Sequence, residues 1–336
     1  MRLYCGIDLH SNNHVVVVID AEDRRIVEQR LPNSLERTLA LLAPFRQELV
    51  GIAVESTFNW YWLVDGLMNH GYRLHLVNTA AIQQYEGLKH TEDRYDAFHL
   101  AHLLRLKILP TGYIYPKERR TVRDLMRRRS GLVRIAARQL ISVQSQIWRD
   151  TGERVSSNRL RRGDFVLPLT APLSQLPAAA ALRIYHALQQ EIDALEAAAS
   201  KAVALDPRFE VLTTIKGVGP ILALTIMLET GEIQRFAHVG DYASYCRLVK
   251  SQKLSNGKRK GEGNRKCGNK YLSWAFSEAA HFCVRYDPAA KRFYERKLAK
   301  TNGIVAIRAT AHKLARAAYY MLREQKPFEA QRLFAH

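Results

Sequence analysis

Four acidic residues near the start of the chain have the type and spacing of ligands for a divalent cation. Asp8 and Glu55 each follow an apolar run, whereas Asp93 and Asp96 stand three residues apart in "TEDRYDAFHLAHLL". An i, i+3 pair lies on one face of a helix. Clustered carboxylates repel one another unless cations neutralise them, and hard oxygen ligands suit Mg²⁺ or Mn²⁺. Two such ions stabilise both the attacking and the leaving oxygen of a phosphodiester.

Each of these residues also has a simpler interpretation. Asp8 precedes Ser-Asn-Asn at 11–13, and Asp and Asn are common turn residues. Asp93 and Asp96 would interact favourably with the dipole at a helix N-terminus. The "GID" of residues 6–8 also opens actin-like sugar kinases and ATPases, but their Asp precedes a Gly-rich turn that this sequence lacks. Convergence of all four acids at one edge of a sheet favours the metal site.

Hydrophobic patterning predicts the elements that would bring the four acids together. Strands are predicted at 3–9, at 13–20, at about 25–31, in "GIAVES" ending on Glu55, and in "RLHLVN". Helices are predicted over 34–47, with Ser34 as N-cap, over about 59–70, and from Asp93 onward. An antiparallel start that continues into βα units predicts an α/β head domain.

The charge of the chain is strongly basic and unevenly distributed. The net charge is +19; residues 1–110 carry 11 basic and 13 acidic residues, and the remainder carries 40 and 19. This distribution predicts a polyanionic partner held through phosphate contacts. A basic membrane-surface protein would need an amphipathic helix that does not stand out here, and no apolar run approaches the roughly 20 residues of a membrane span. The absence of a signal-peptide pattern and four scattered cysteines predict a reducing cytoplasm.

Beyond about residue 118 the sequence predicts long helices. One covers 118–150, and another covers 178–205 with apolar or small residues at 181, 185, 188, 192, 195, 199 and 202. Alternating steps of four and three residues form a heptad seam, which predicts a helical hairpin that also dimerises. The alternative is a bundle whose seam packs only within the chain. The final part, 206–336, is again predicted to be helical.

Three segments are predicted to contact nucleic acid. "IKGVGPILALTI" fits a helix-hairpin-helix, whose glycines let backbone N–H groups approach a phosphate, although an ordinary Gly-Pro turn is the alternative. Residues 250–270 hold eight Lys/Arg and one acid and predict a mobile basic loop, and 119–138 hold eight Arg on a helix. The predicted contact residues are Lys216, Gly217, Gly219, Lys250, Lys253, Lys258, Arg259, Lys260, Arg265, Lys266, Arg119, Arg120, Arg123, Arg127 and Arg128.

Asp8, Glu55 and the "DRYD" of 93–96 resemble the DEDD set of RuvC-like nucleases with the RNase H fold. Together with the basic helical remainder, they make the whole chain similar to insertion-sequence transposases of the IS-one-ten group, which includes Piv-type invertases. The resemblance implies a RuvC-like catalytic domain (1–112), a coiled-coil segment (113–205) and a mostly α transposase domain (206–336). It also implies Mg²⁺, replaceable by Mn²⁺, on the four acids and a nucleophilic serine that is followed closely by a glycine in the basic loop. Ser255 matches that position, with Ser251 as a second candidate.

The activity implied by the resemblance is that of a transposase or site-specific recombinase that breaks and rejoins DNA through a phosphoserine intermediate. The implied partners are double-stranded DNA at the element ends and target, an element-encoded non-coding guide RNA, and further copies forming dimers and tetramers. No membrane partner is expected, and the expected location is the bacterial cytoplasm, at the nucleoid. Two alternatives stay open: a RuvC-like Holliday-junction endonuclease that uses metal-activated water, and a non-catalytic architectural protein with a decayed head.

Overall fold

A computed structural model describes residues 1–82, 92–249, 253–261 and 267–334. The chain divides into two compact units, Met1–Lys117 (the head unit) and Glu118–His336 (the helical unit). The three-part division at residues 112 and 205 stays a prediction. Among the described residues, no helix is long and apolar enough to cross a membrane.

The head unit is built on a mixed sheet that follows the predicted strands closely. In its described part, the strands are β1 (Leu3–Leu9), β2 (Asn13–Ile19), β3 (Arg25–Pro32), β4 (Leu49–Glu55) and β5 (Leu74–Val77). Their order is β3-β2-β1-β4-β5. The first three strands pair antiparallel, whereas β1, β4 and β5 run parallel. The predicted α/β head is therefore confirmed.

Helices cover both faces of this sheet. The described helices are α1 (Leu35–Leu42), α2 (Tyr61–Asn69) and α3 (Asp93–Arg105), with short 3-10 turns at Ala43–Phe45 and Thr79–Ala81. As predicted, Ser34 caps α1, since its hydroxyl accepts a hydrogen bond from the backbone N–H of Arg37. The apolar faces of α1 and α2 share one core with the sheet, and that of α3 contributes to a second core on the opposite face. Both faces of β1 are therefore buried, which explains its continuous apolar run.

Gly6 allows α3 to lie directly against β1. A Cβ at this position would be 2.0 Å from the carbonyl oxygen of Ala97 and 2.7 Å from the backbone nitrogen of Ala101. Neither backbone atom can rotate away, so any larger residue would displace the helix that begins with Asp93. The glycine therefore determines how closely the acids of α3 approach Asp8.

We expect Gly6→Ala to destabilise the head unit by about 3 kcal/mol, because the added methyl group overpacks a helix-to-strand contact. Gly112→Ala is the matched control in the same unit, because its Cβ would find ordinary contacts no closer than 3.6 Å. Hydrogen exchange of β1 and α3 peptides, measured by mass spectrometry, reports the local loss. Equal protection in the two variants would contradict this account.

The far end of α3 is anchored to the turn between β2 and β3. Arg105 donates to both carboxylate oxygens of Asp23, at 2.6 and 2.5 Å, and His102 Nδ1 lies 2.9 Å from Asp23 Oδ1. Burial opposes ionisation of Asp23, but the hydrogen bonds from Arg105 and His102 lower its pKa overall. This anchor holds α3 along the sheet and so orients its first turn.

The described residues of the helical unit form two hydrophobic cores. Its described elements are α4 (Lys117–Thr151, whose first residue belongs to the head unit), α5 (Ser157–Leu160), α6 (Pro172–Ala202), α7 (Pro207–Thr213), α8 (Pro220–Thr230), a 3-10 turn (Ile233–Arg235), α9 (Val239–Tyr245), β6 (Lys253–Ser255), β7 (Lys258–Gly261), α10 (Lys270–Tyr286), α11 (Pro288–Leu298), α12 (Gly303–Glu324) and α13 (Ala330–Phe334). One core lies among α8, α10, α12 and their neighbours, and the other lies between α4 and α6. The mostly helical second part is confirmed.

The heptad seam of α6 is covered by α4 of the same chain. Ala181, Tyr185, Ile192 and Ala199 are buried, and the first three belong to the core shared with α4. Packing of α6 on α4 is expected both for a helical hairpin that dimerises and for a bundle whose seam packs only within the chain. Self-association therefore stays a prediction.

The basic segment around Ser255 contains a β-hairpin, so the prediction that it is a mobile loop throughout is wrong. Ser255 pairs with Lys258 across β6 and β7. The two residues between them, Asn256 and Gly257, both have positive φ, at 50° and 70°. Asn-Gly is a favoured sequence for such a two-residue hairpin turn because both residues tolerate the left-handed conformation. The Asn256-Gly257 dipeptide was visible in the sequence, but the basic, glycine-rich composition around it favoured the prediction of a loop.

Candidate metal centre and nucleic-acid contacts

Asp8 and Asp93 come together with a residue that the sequence analysis did not propose, His10. His10 Nε2 lies 3.1 Å from Asp8 Oδ2 and 3.3 Å from Asp93 Oδ2. One ligand atom from each of the three residues lies within 4.8 Å of the other two. Asp8 Oδ2 and His10 Nε2 are buried without a hydrogen-bond partner of normal geometry. Because buried polar atoms are normally satisfied, this pair fits a site for a cation.

Glu55 completes the cluster from the neighbouring strand. The parallel pairing of Ile7 with Val54 places Asp8 and Glu55 side by side at the carboxyl ends of β1 and β4. Burial, a hydrogen bond with Asp8 and the charges of Asp8 and Asp96 raise the pKa of Glu55 to about 8. In the absence of a cation, this carboxyl group therefore retains its proton near neutral pH.

The two acids of α3 experience different electrostatic environments. Burial and the charges of Asp8 and Asp93 raise the pKa of Asp96. The pKa of Asp93 is lowered instead, foremost by a hydrogen bond of 2.6 Å from Arg30 Nη2 to Asp93 Oδ2. Arg30 also donates to the Asn13 side chain, at 2.6 Å. The carboxyl groups of the four predicted acids therefore influence one another's pKa, and Arg30 partly neutralises the charge of Asp93.

Two asparagine side chains hold the turn that carries His10. The carbonyl oxygen of His10 accepts hydrogen bonds from Asn33 Nδ2 at 3.1 Å and from Asn59 Nδ2 at 2.9 Å. Asn33 also donates to the carbonyl of Ser11, and its own Oδ1 lies 3.1 Å from Nδ1 of the buried His14. Loops after β3 and β4 thus fix the backbone on which His10 stands.

Glu55 makes the stability of the cation-free protein depend on pH. Its pKa of about 8 exceeds the ordinary value of 4.5, so the folded protein binds this proton more tightly than the unfolded chain. The resulting stabilisation is fully present below the unfolded pKa and is lost as the pH rises through the folded pKa. We therefore expect the melting temperature in EDTA to fall between about pH 5 and 8. Glu55→Gln should flatten the dependence of the melting temperature on pH. An unchanged dependence in this variant would contradict the raised pKa of Glu55.

The predicted helix-hairpin-helix corresponds to α7, a short turn and α8. Gly217 has φ +92°, and a Cβ there would lie 2.6 Å from Phe282 Cβ and 2.7 Å from the backbone nitrogen of Cys283. Close packing against α10 is therefore sufficient to explain this glycine. Gly219 has open space around it, and the exposed Lys216 Nζ lies 3.4 Å from the buried Asp287 Oδ2. Phosphate binding by this turn stays a prediction.

Two family models match separate parts of the chain. A family model of DEDD transposases of the IS110 type matches residues 5–147, and a model described as the transposase IS116/IS110/IS902 family matches residues 209–295. The chain belongs to this family of DNA transposases. It is the IS-one-ten group that the sequence resembles, so that resemblance is confirmed.

Two relatives of this transposase align with it over different shares of their length. An uncharacterized 43.6 kDa protein of insertion element IS110 from Streptomyces coelicolor is 29% identical over 147 residues, which cover 43% of this chain and 36% of the relative. A probable family 20 transposase from Pseudomonas aeruginosa is 23% identical over 342 aligned residues, which cover 94% of this chain and 96% of the relative. The second alignment thus extends over nearly both chains.

The arginines of α4 have different environments in this transposase. Arg120 and Arg123 are buried, and Arg119 is exposed with its Nη1 2.7 Å from Glu232 Oε1. Arg127 forms a two-point ion pair with the buried Glu229, at 2.6 and 2.7 Å. Arg128 is exposed. Of these five, Arg119 and Arg128 are exposed, and Arg119 has Glu232 as an acidic partner; the prediction that all five bind nucleic acid is untested.

Arg127 and Arg128 form a matched pair of neighbours with different expected roles. We expect Arg127→Gln to lower stability by about 2 kcal/mol, less than for a fully buried pair because the Arg127 side chain is 34% exposed. Arg128→Gln should leave stability unchanged and reduce the slope of log Kd against log salt for DNA by about 1. Thermal melts and salt titrations of both variants check the assignment. Equal salt slopes would contradict it.

The remaining predicted contact residues lie in or beside the hairpin. Lys258 and Lys260 are exposed on β7. The backbones of Lys253 and Arg259 belong to the two strands. Lys250, Ser251, Arg265 and Lys266 lie outside the described residues. Contact of this segment with nucleic acid stays a prediction.

Sequence reasoning missed His10, Arg30, Asn33 and Asn59. His10 was identifiable in part, because it stands two residues after Asp8 and is itself a common metal ligand. The other three carry no local signal, since their roles depend on which loops meet beside the turn.

Proposed function

We propose that this transposase cuts and rejoins DNA strands with a cation-bound centre of Asp8, Glu55, Asp93 and Asp96 and with Ser255 as nucleophile. The observation that carries the proposal is the junction of Asp8, Asp93 and Glu55, where the buried Asp8 Oδ2 lacks a hydrogen-bond partner of normal geometry and the pKa of the Glu55 carboxyl group is raised. Perturbed carboxyl groups of this kind are typical of functional sites. We also propose the RNase H-like fold for the head unit, supported by its strand order and directions.

The head unit contributes a preorganised set of oxygen ligands. Asp8 and Glu55 stand on adjacent parallel strands, and Asp93 and Asp96 stand on the first turn of α3, which Gly6 and Asp23 hold against the sheet. When bound, Mg²⁺ or Mn²⁺ would stabilise negative charge developing on the attacking and leaving oxygens of a phosphodiester. Glu55 would give up its proton to hold the cation, because ligating carboxylates must be ionised.

The helical unit contributes the proposed nucleophile. Ser255 Oγ attacks phosphorus, the DNA oxygen on the other side of that phosphorus leaves and takes a proton, and the serine proton passes to a base. The resulting phosphoserine diester conserves the phosphodiester energy until another DNA hydroxyl attacks it. Ser255 ends β6 directly before the Asn256-Gly257 turn, a defined backbone position within a basic segment.

The proposed partners are nucleic acids and further copies of the chain. The strong excess of basic residues beyond residue 110 supports binding of DNA and of an element-encoded guide RNA. Ile141, Trp148 and Ile184 remain exposed on α4 and α6, which supports pairing of these helices between chains even though the seam itself is covered. We therefore propose that the chain forms a dimer and that two dimers form a tetramer that joins two duplexes.

The deciding experiment combines the full-length protein with end-labelled duplexes that carry the element ends and target, RNA transcribed from the element's non-coding region, and Mg²⁺. We expect strand cleavage together with a slowly migrating protein–DNA adduct on a denaturing gel. EDTA should abolish both. Undiminished products in excess EDTA would overturn the metal centre, and omission of the RNA tests the guide.

A further inference from the structure

We propose that His10 is a nitrogen ligand of the cation at the Asp8–Asp93 side of the centre, and that it makes this side prefer first-row transition ions to Mg²⁺. The inference rests on the proposed function, because it assigns a ligand and an ion preference to the same centre. It adds a residue outside the four acids.

The geometry of His10 is that of a ligand facing a shared point. Its Nε2 is 3.1 Å from Asp8 Oδ2 and 3.3 Å from Asp93 Oδ2, although a single ring nitrogen can donate to only one acceptor at a time. Neither His10 Nε2 nor Asp8 Oδ2 has a hydrogen-bond partner of normal geometry, although the two atoms are close together, and the Asp8 side chain is only 5% exposed. A cation between the three atoms would provide a partner for Asp8 Oδ2 and His10 Nε2 and would bind Asp93 Oδ2, which also accepts a hydrogen bond from Arg30.

The backbone around His10 is rigid enough for such a role. Asn33 and Asn59 both donate to its carbonyl oxygen, from loops on two sides. These contacts hold the turn from outside and leave the ring nitrogen directed at the carboxylates. Metal sites characteristically fix their ligands through outer hydrogen bonds of this kind.

The two sides of the centre then differ in donor chemistry. Asp8 and Asp93 share their side with an imidazole nitrogen that lies within 3.3 Å of both carboxylates, whereas Glu55 and Asp96 interact with Asp8 through carboxylate groups. The imidazoles of His99 and His10 also act on Asp96 electrostatically. Mg²⁺ strongly prefers oxygen ligands, and imidazole favours transition ions. Mn²⁺ accepts carboxylates, binds imidazole more readily than Mg²⁺ does and is paramagnetic, so it is the appropriate probe for the His10 side.

The test measures metal binding directly on the full-length protein, without DNA. Pulsed EPR of bound Mn²⁺ should show coupling to a directly coordinated ¹⁴N nucleus, and the lines should change in protein labelled with ¹⁵N-histidine. His10→Gln should remove the coupling and weaken Mn²⁺ binding about tenfold or more, while the Kd for Mg²⁺ changes less than about threefold. His75→Gln on β5 is the matched control, since its side chain packs near Gly51, at the amino end of β4, and should retain the coupling.

The outcomes separate this inference from the proposed function. Tight Mn²⁺ binding without nitrogen coupling in the unsubstituted protein would show that His10 only positions Asp93, and would overturn the inference while the carboxylate centre stands. The same conclusion follows if His10→Gln and a second variant, His10→Ala, keep the original Mn²⁺-to-Mg²⁺ ratio. Failure of the unsubstituted protein to bind either ion would overturn the metal centre itself, and with it the inference.

Discussion

Asp8→Asn is expected to reduce DNA cleavage by about a thousandfold or more, because several kcal/mol of transition-state stabilisation depend on the bound cation. Asp8 is the central residue of the proposed centre, since it interacts with His10, Glu55 and Asp96. The amide keeps the size of the side chain but cannot supply the negative charge. Rates of strand cleavage on end-labelled duplexes provide the measurement.

DNA affinity should change less than about twofold in the same variant, because binding depends on the basic residues beyond the head unit. Glu36→Gln, at an exposed acid in the first turn of α1, controls for loss of a negative charge from the head unit. It should cleave at the unsubstituted rate. Cleavage by Asp8→Asn at a comparable rate would refute the assignment of Asp8 as a ligand.

Ser255→Ala is expected to abolish the covalent protein–DNA adduct and to reduce recombination by about a thousandfold or more, because no other atom at this position can form the phosphoserine diester. The substitution should preserve the hairpin, since Ser255 pairs with Lys258 through backbone atoms and the turn conformation belongs to Asn256 and Gly257. DNA affinity is therefore the internal control and should stay constant.

Ser251→Ala is the matched comparison. If the adduct persists in Ser255→Ala and disappears in Ser251→Ala, the nucleophile lies four residues earlier. If both variants and the unsubstituted protein cleave DNA without an adduct, the junction-endonuclease alternative, with water as nucleophile, replaces the transposase mechanism proposed for Ser255. Each result is visible on one denaturing gel, so the two alternatives are separated directly.

The sheet and the positions of the acids along the chain were predictable from sequence. Strands with buried faces have continuous apolar runs, so β1 and β4 were predicted within about two residues of their bounds, and Asp8 and Glu55 were predicted at their ends. Asp93 and Asp96 were predictable as the first turn of a helix. These features depend on residues that are close in sequence, where periodicity and capping are the dominant signals.

The environments of individual charged side chains were decided by the tertiary structure. A composition rich in arginine could not reveal that Arg127 pairs with Glu229, 102 residues later, or that Arg120 is buried, whereas Arg128 is exposed. Likewise, a heptad seam specifies an apolar stripe but does not specify whether α4 of the same chain or another chain covers it. Desolvation and pairing depend on what packs opposite, which local sequence does not encode.

The chemistry of the centre combines both sources. Sequence alone determined that four acids, with the spacing of the DEDD set, could lie at one edge of a sheet. Only the three-dimensional arrangement added His10 and Arg30 and raised the pKa of Glu55 to about 8, because these effects depend on contacts within a few ångströms between β1, β3, β4 and α3. Folding therefore gives different electrostatic environments to acids that are alike in the sequence.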